Sequence, residues 1–191
     1  MTFNGTNHWH YYSISGINFI KTSAAASGRP SVILAPVGGG ASAALDSAVV
    51  AATSAGVHFV TTAGNSNADA SNFSPGRVPS AITVGASTIA DTISSSSNYG
   101  PAIKLFAPGQ SVLSTWIGSP DATNIISGGS SAAAHVAGLA AYLLGILGTT
   151  STITLGTALE TTAVRGALTN VPAGTVNLLA NNNIARLGLK L

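Results

Sequence analysis

An apolar run at residues 32–37 ends on Gly38-Gly39-Gly40, and a helical period and a second apolar run follow it directly. No other feature constrains the chain as strongly. Across residues 42–56, Leu45, Ala48, Val49 and Ala52 fall at i, i+3, i+4 and i+7, the spacing of one buried helix face. Gly56 stands where a helix carboxyl end favours a residue without a side chain. The second run, residues 57–60, opens into Ala63-Gly64-Asn65. Strand, helix and strand in this order make a βαβ crossover, which means a parallel sheet with helices on its faces.

The rest of the chain extends that pattern. Ile14, Ile17 and Phe19 line one side of a short helix from Tyr12 that ends by Gly28-Arg29-Pro30. Residues 65–79 read as a polar loop, and residues 81–86, 103–106 and 111–116 as strands. Val136, Leu139, Ala140, Leu143, Leu144 and Leu147 repeat at helical spacing behind Gly128-Gly129-Ser130-Ser131. With no internal repeat and no linker, residues 1–191 are expected to form a single α/β unit.

Composition narrows the function classes. Hydrophobic residues make up 46% of the chain and charged ones 6%, so it has the material for a packed core. Seven Lys and Arg face five Asp and Glu without forming a basic run, which argues against nucleic acid as a partner. The absence of cysteine excludes disulfides, zinc thiolates and thiol catalysis. The longest apolar stretch, residues 136–147, contains Gly138 and Gly145 and is too short to span a bilayer, so no membrane partner is expected. The opening residues 1–10 carry no apolar signal-peptide region. Two short glycosylation sequons, at Asn4 and Asn72, carry little weight.

In open parallel sheets, ligands bind beyond the carboxyl ends of the strands. Gly38-Gly39-Gly40, Ala63-Gly64-Asn65 and Ser127-Gly128-Gly129-Ser130 all fall there. Ser130 would stand at the positive end of a helix, among unpaired N–H groups that favour an anion such as the oxygen of a tetrahedral acyl intermediate. Asn65 can add a side-chain N–H to the same oxygen. On these residues alone, Ser130 reads sooner as a helix cap and Asn65 as a loop support. Pattern reasoning stops at an α/β domain with an anion site.

The wording of the sequence goes further. Ala63-Gly64-Asn65, Val84-Gly85-Ala86-Ser87, Ser97-Asn98-Tyr99-Gly100, Phe106-Ala107-Pro108-Gly109, Ser114-Thr115-Trp116-Ile117-Gly118 and His135-Val136-Ala137-Gly138-Leu139 resemble successive blocks of the subtilisin-like serine proteases. The wording is similar to that of the fungal, proteinase K-like subgroup. The resemblance runs over about residues 17–183 and keeps block order and spacing. It implies a subtilisin-like parallel sheet flanked by helices, and a serine endopeptidase acting on polypeptides outside the cell. By position it places Ser130 on the nucleophile and Asn65 on the oxyanion-hole asparagine. Pro36, Val37, Gly38 and Gly39 fall on the strand along which an extended peptide lies, and Thr62, Ala63 and Gly64 on the opposite wall of the specificity pocket.

The departures shape the expectation as much. Gly129, Ser131, Ala133 and Ala134 replace Thr, Met, Thr and Pro of the family's nucleophile block, and Pro36 removes a backbone donor from the substrate strand. Lys104 occupies the position where relatives often carry a calcium-binding aspartate, so no metal or other cofactor is expected. The family's Asp and His blocks precede the helix at Tyr12, and residues 1–11 contain neither. His8, His10, His58 and His135 are not read as substitute bases, and Asp46, Asp69, Asp91 and Asp121 are read as cap or loop residues.

The resemblance therefore implies a partial peptidase domain, catalytically incompetent alone, whose sheet lacks its N-terminal strands. A pseudoprotease serving as a peptide-binding or regulatory module is the alternative, and a serine hydrolase with a reorganised triad a third reading. The strand at residues 32–37 would become an apolar sheet edge, open to a complementary N-terminal fragment or to self-association.

Overall fold

The computed structural model describes residues 8–148 and 150–188; the Asn4 sequon and most of the opening segment lie outside them. The elements run α1 (His8–Ser27), β1 (Val32–Ala35), β2 (Gly39–Gly40), α2 (Ala43–Ser54), β3 (His58–Thr62), β4 (Phe73–Ser74), β5 (Ile82–Ser87) and β6 (Leu105–Pro108). Then follow β7 (Val112–Thr115), β8 (Thr123–Ile126), α3 (Gly129–Leu147), α4 (Thr152–Thr162), β9 (Val164–Arg165) and β10 (Leu178–Leu179). Strands β1-β3-β5-β6-β10-β9 lie side by side in one six-stranded sheet. Pairings are parallel except the last, β10 with β9.

The two-residue period of β3 explains the two layers around it. Phe59 points to one face, where it packs with Ile33, Leu45, Val49 and Ile17 beneath α1 and α2. Val60 points to the other, into a cluster with Val84, Leu105, Val136, Ala140 and Leu143 beneath α3 and α4. All five β3 residues are buried, so this strand is apolar-facing on both sides and shows no alternation in sequence. Ala132, Ala133, Ala137 and Ala140 keep the buried side of α3 thin, which lets the helix lie close on the sheet.

Several boundaries differ from the sequence expectation. Helix α1 begins at His8 rather than Tyr12, because Trp9 finds a tertiary contact against Gly39 that no local period reveals. The polar stretch 65–79 is not wholly loop: Ala70–Asn72 form a 3-10 turn, and β4 pairs antiparallel with β2 through Gly39↔Ser74 and Gly40↔Phe73. The strand expected at residues 111–116 leaves the main sheet and pairs with β8 as a separate, largely exposed hairpin. Helix α4 has no counterpart in the sequence expectation, since its buried Leu155, Ala158 and Leu159 are set among threonines that favour other structures locally. Ser42 caps α2, its hydroxyl accepting Leu45 N–H. Strand β1 is the outermost of the sheet on its side.

Candidate functional site

The carboxyl ends of β1 and β3 and the amino end of α3 converge on one open cleft of about 510 Å³. Pro36, Val37, Gly38 and Gly39 wall one side, and Thr62, Ala63, Gly64 and Asn65 the other. Ser130 lines the same cleft, so every residue given a site role by the resemblance borders this one space. Trp9 and Phe73 also line it.

Ser130 lies in the first turn of α3, where backbone N–H groups lack intrahelical acceptors. Its hydroxyl donates to Pro36 O at 3.2 Å, tying the helix start to the strand opposite. Gly128 precedes the helix at φ 150, a conformation open to glycine, and makes no side-chain cap. The cap comes from across the cleft: Asn65 Oδ1 accepts Gly129 N–H at 2.7 Å. That bond fixes the orientation of the amide at the cleft wall. A positive helix end, a hydroxyl and a side-chain amide donor in one cleft can hold a carbonyl oxygen and stabilise charge that develops on it.

Asn98, given no role from the sequence, holds the loop that carries Asn65. Its buried amide accepts Ser66 N–H at 2.9 Å and Ala68 N–H at 3.1 Å, and donates to Ala63 O at 2.8 Å. Gly64, at φ +105, is required there, because a Cβ would collide with the Asn98 amide. The place of Asn98 in the Ser97-Asn98-Tyr99-Gly100 block is the one sequence signal that points to it. Thr62 also acts locally, its hydroxyl accepting Gly64 N–H at 3.1 Å. The same oxygen fills the space a Cβ at Gly129 would need, which gives a physical reason for glycine there instead of the family's threonine. Trp9 likewise has no sequence signal; its ring lies where a Cβ on Gly39 would stand.

Among the described side chains, no imidazole is hydrogen-bonded to the Ser130 hydroxyl, and that of His8 lies outside them. His135 borders a second cavity of about 410 Å³ with Ser130, Ser131, Val112, Leu113 and Ile126. Its Nδ1 is engaged with Ser131 O of its own helix at 2.9 Å. His10 belongs to α1 and packs on Trp9, with ring centroids 3.8 Å apart. His58 opens β3, at the end of the strand away from Asn65, and is 1% exposed. Burial holds its imidazole below the usual histidine range, an effect the Thr150 backbone partly opposes.

The carboxylates have structural partners. Asp46 is not a cap: it pairs with Arg77 at 2.6 Å from the first turn of α2. Asp69 caps the 3-10 turn by accepting Ser71 N–H, and Asp91 sits in a turn at φ 53. Lys104 lines a small cavity with Glu160 at the opposite end of the sheet from Ser130.

A hydroxyl at a helix start beside a side-chain amide, at the carboxyl edge of a parallel sheet, puts the candidate site of this α/β fold where such sheets bind ligands. Comparison with known proteins narrows the class: the chain matches the subtilase family over residues 14–185. It is 48% identical over 163 residues to subtilisin-like serine protease Pen ch 18 of Penicillium rubens, covering 81% of this chain and 33% of that protein. A cuticle-degrading protease of Metarhizium anisopliae is 46% identical over 171 residues, covering 88% and 44%. Among solved structures, a cold adapted subtilisin-like serine proteinase superposes with a TM-score of 0.83 at 43% identity, covering 88% of this chain and 60% of that one. The chain belongs to the subtilase family. It spans less than half the length of these two fungal relatives.

Proposed function

We propose that this chain carries the acyl-binding side of a subtilisin-type serine endopeptidase site, as one partial peptidase unit. Ser130 is the nucleophile, Asn65 the oxyanion donor, Pro36 to Gly39 the strand along which an extended polypeptide lies, and Thr62 to Gly64 the facing pocket wall. The observation that carries the reading is the bond from Gly129 N–H to Asn65 Oδ1, which sets nucleophile and oxyanion donor in one cleft. Family membership supports a polypeptide as substrate, and the kinship with fungal proteases supports work outside the cell.

Alone, the chain is catalytically incompetent. None of the described imidazoles is hydrogen-bonded to the Ser130 hydroxyl, and without such a base it is a weak nucleophile at neutral pH. Binding and oxyanion contacts without the base leave only a small part of a triad's rate. The base comes from the Asp and His blocks of the family, on the same polypeptide or on a complementary N-terminal fragment. The second cavity beside Ser130, lined by Val112, Leu113 and Ile126, leaves room next to the hydroxyl.

The alternative, a pseudoprotease that binds peptides without cutting them, draws support from the altered residues Gly129, Ser131, Ala133 and Ala134 around the nucleophile. One experiment separates the readings. A fluorophosphonate probe is applied to the chain alone and to the chain mixed with the Asp- and His-bearing part of a fungal relative. Labelling of Ser130 in the mixture only is the expected result. Labelling in neither sample favours the pseudoprotease, and labelling of the chain alone overturns its incompetence.

A further inference from the structure

At the amino ends of β5 and β6, a cavity of about 220 Å³ opens between the sheet and α4. Lys104, the residue before β6, borders it on the sheet side, and Glu160 borders it from α4. Leu105, Leu159 and Ile82, all buried, supply an apolar floor. Among the described residues, neither charged side chain has an ion-pair or hydrogen-bond partner; the Arg77–Asp46 pair lies elsewhere. The Lys104 backbone is nevertheless fixed, its N–H donating to Thr83 O at 2.9 Å. Gly156 stands one helical turn before Glu160 on the same face of α4 and also borders the space. Glycine weakens a helix interior, yet a Cβ there would meet nothing within 4 Å, so no neighbour requires its absence. The missing side chain leaves the cavity open beside the carboxylate. Every wall belongs to residues 79–160, and β5 and β6 are flanked by β3 and β10. The site is built from elements of this chain and is independent of whatever lies beyond β1.

We propose that this cavity binds a free amino acid with an aliphatic side chain, as its zwitterion. Two unpaired charges of opposite sign on opposite walls favour a ligand that carries both. A simple anion drawn to Lys104 would be repelled by Glu160, and a simple cation drawn to Glu160 would be repelled by Lys104. An α-carboxylate on the Lys104 ammonium and an α-ammonium on the Glu160 carboxylate satisfy both walls through charge-assisted hydrogen bonds. The apolar floor takes the aliphatic side chain out of water. Size sets the upper limit. The volume lies below the roughly 300–1,000 Å³ of pockets that take drug-sized ligands, so a single residue fits and a longer peptide does not. The cavity is at the opposite end of the sheet from Ser130, so the inference does not rest on the chemistry proposed there.

Amide NMR of the 191-residue chain titrated with L-leucine tests it. The expected result is saturable shifts at Ile82, Lys104, Gly156 and Glu160, with the Ser130 cleft unmoved. N-acetyl-L-leucine lacks the ammonium and L-leucinamide lacks the carboxylate, so each should bind at least about ten-fold more weakly. Lys104→Met should abolish the preference for L-leucine over L-leucinamide, and Glu160→Gln the preference over N-acetyl-L-leucine. Gly156→Leu fills the space with a better helix former, so binding should be lost while the thermal midpoint is kept or raised. The two analogues give a readout on the parent chain that does not depend on the variants folding. No saturable shift at the cavity, analogues that bind as tightly as L-leucine, or shifts confined to the Ser130 cleft would each overturn the proposal.

Discussion

Asn65 Oδ1 accepts the backbone N–H of Gly129 at 2.7 Å, so a side chain from the β3 loop caps the helix that carries Ser130. The bond closes an orphan donor at the helix start and fixes the amide at the cleft wall. Asn65→Ala should lower stability by about 1 kcal/mol, the usual cost of a lost helix cap. Asn65→Asp keeps an acceptor and adds negative charge at the positive helix end, so its thermal midpoint should lie at or above the parent's. Thermal denaturation of both variants checks the pair. Equal losses would mean that the cap is not what Asn65 contributes.

Thr62 and Gly129 share one volume, since the threonine hydroxyl occupies the site of the missing glycine Cβ. Gly129→Thr, which restores the family residue, should destabilise the chain by about 1–3 kcal/mol through overpacking. Thr62→Ala should relieve that strain, so the double variant recovers most of the loss. A double-mutant cycle in urea should return a coupling of about 1 kcal/mol or more. Additive effects would show that the two positions do not compete for space.

His58 makes stability depend on pH. Burial lowers its folded-state pKa from the ordinary histidine value of 6.5, so the unfolded chain binds the proton more readily. The contribution from this group is fully present above about pH 6.5 and is lost as pH falls toward the folded-state value. The thermal midpoint should therefore drop between neutral and mildly acidic pH. A His58→Leu variant should show a flatter profile over that window, whatever its absolute stability.

Trp9 reports on the cleft. Its ring lies against Gly39, and the other tryptophan, Trp116, lies on the strand-to-turn side of the exposed β7–β8 hairpin. An extended apolar peptide that binds along Pro36 to Gly39 should shift the intrinsic emission. Trp9→Phe should abolish that response and Trp116→Phe should leave it. A response that follows Trp116 instead would move the binding surface to the hairpin.

Much of this architecture is legible without coordinates. The spacing of Leu45, Ala48, Val49 and Ala52 belongs to a helix in any context, and Ser42 and Gly56 bound it by local backbone chemistry. The glycine-rich strand ends and Ser130 can be assigned to the carboxyl edge because a parallel sheet leaves ligands no other common place. Beyond its place in a family block, Asn98 gives no sign of its role, since a buried amide that bonds Ala63, Ser66 and Ala68 has no periodicity to betray it. The threonine-rich α4 and the hairpin partner β8 are illegible for a related reason: one is chosen by packing and the other by pairing across a turn.

Local order and family membership were thus determined by the sequence itself, because periodicity, capping and block wording act between residues close along the chain. Only the tertiary structure decided that Asn65 caps α3, that Thr62 displaces a side chain from position 129, and that Trp9 walls the cleft. Each is a contact between residues distant in sequence, and its geometry exists only once β1, β3 and α3 have packed.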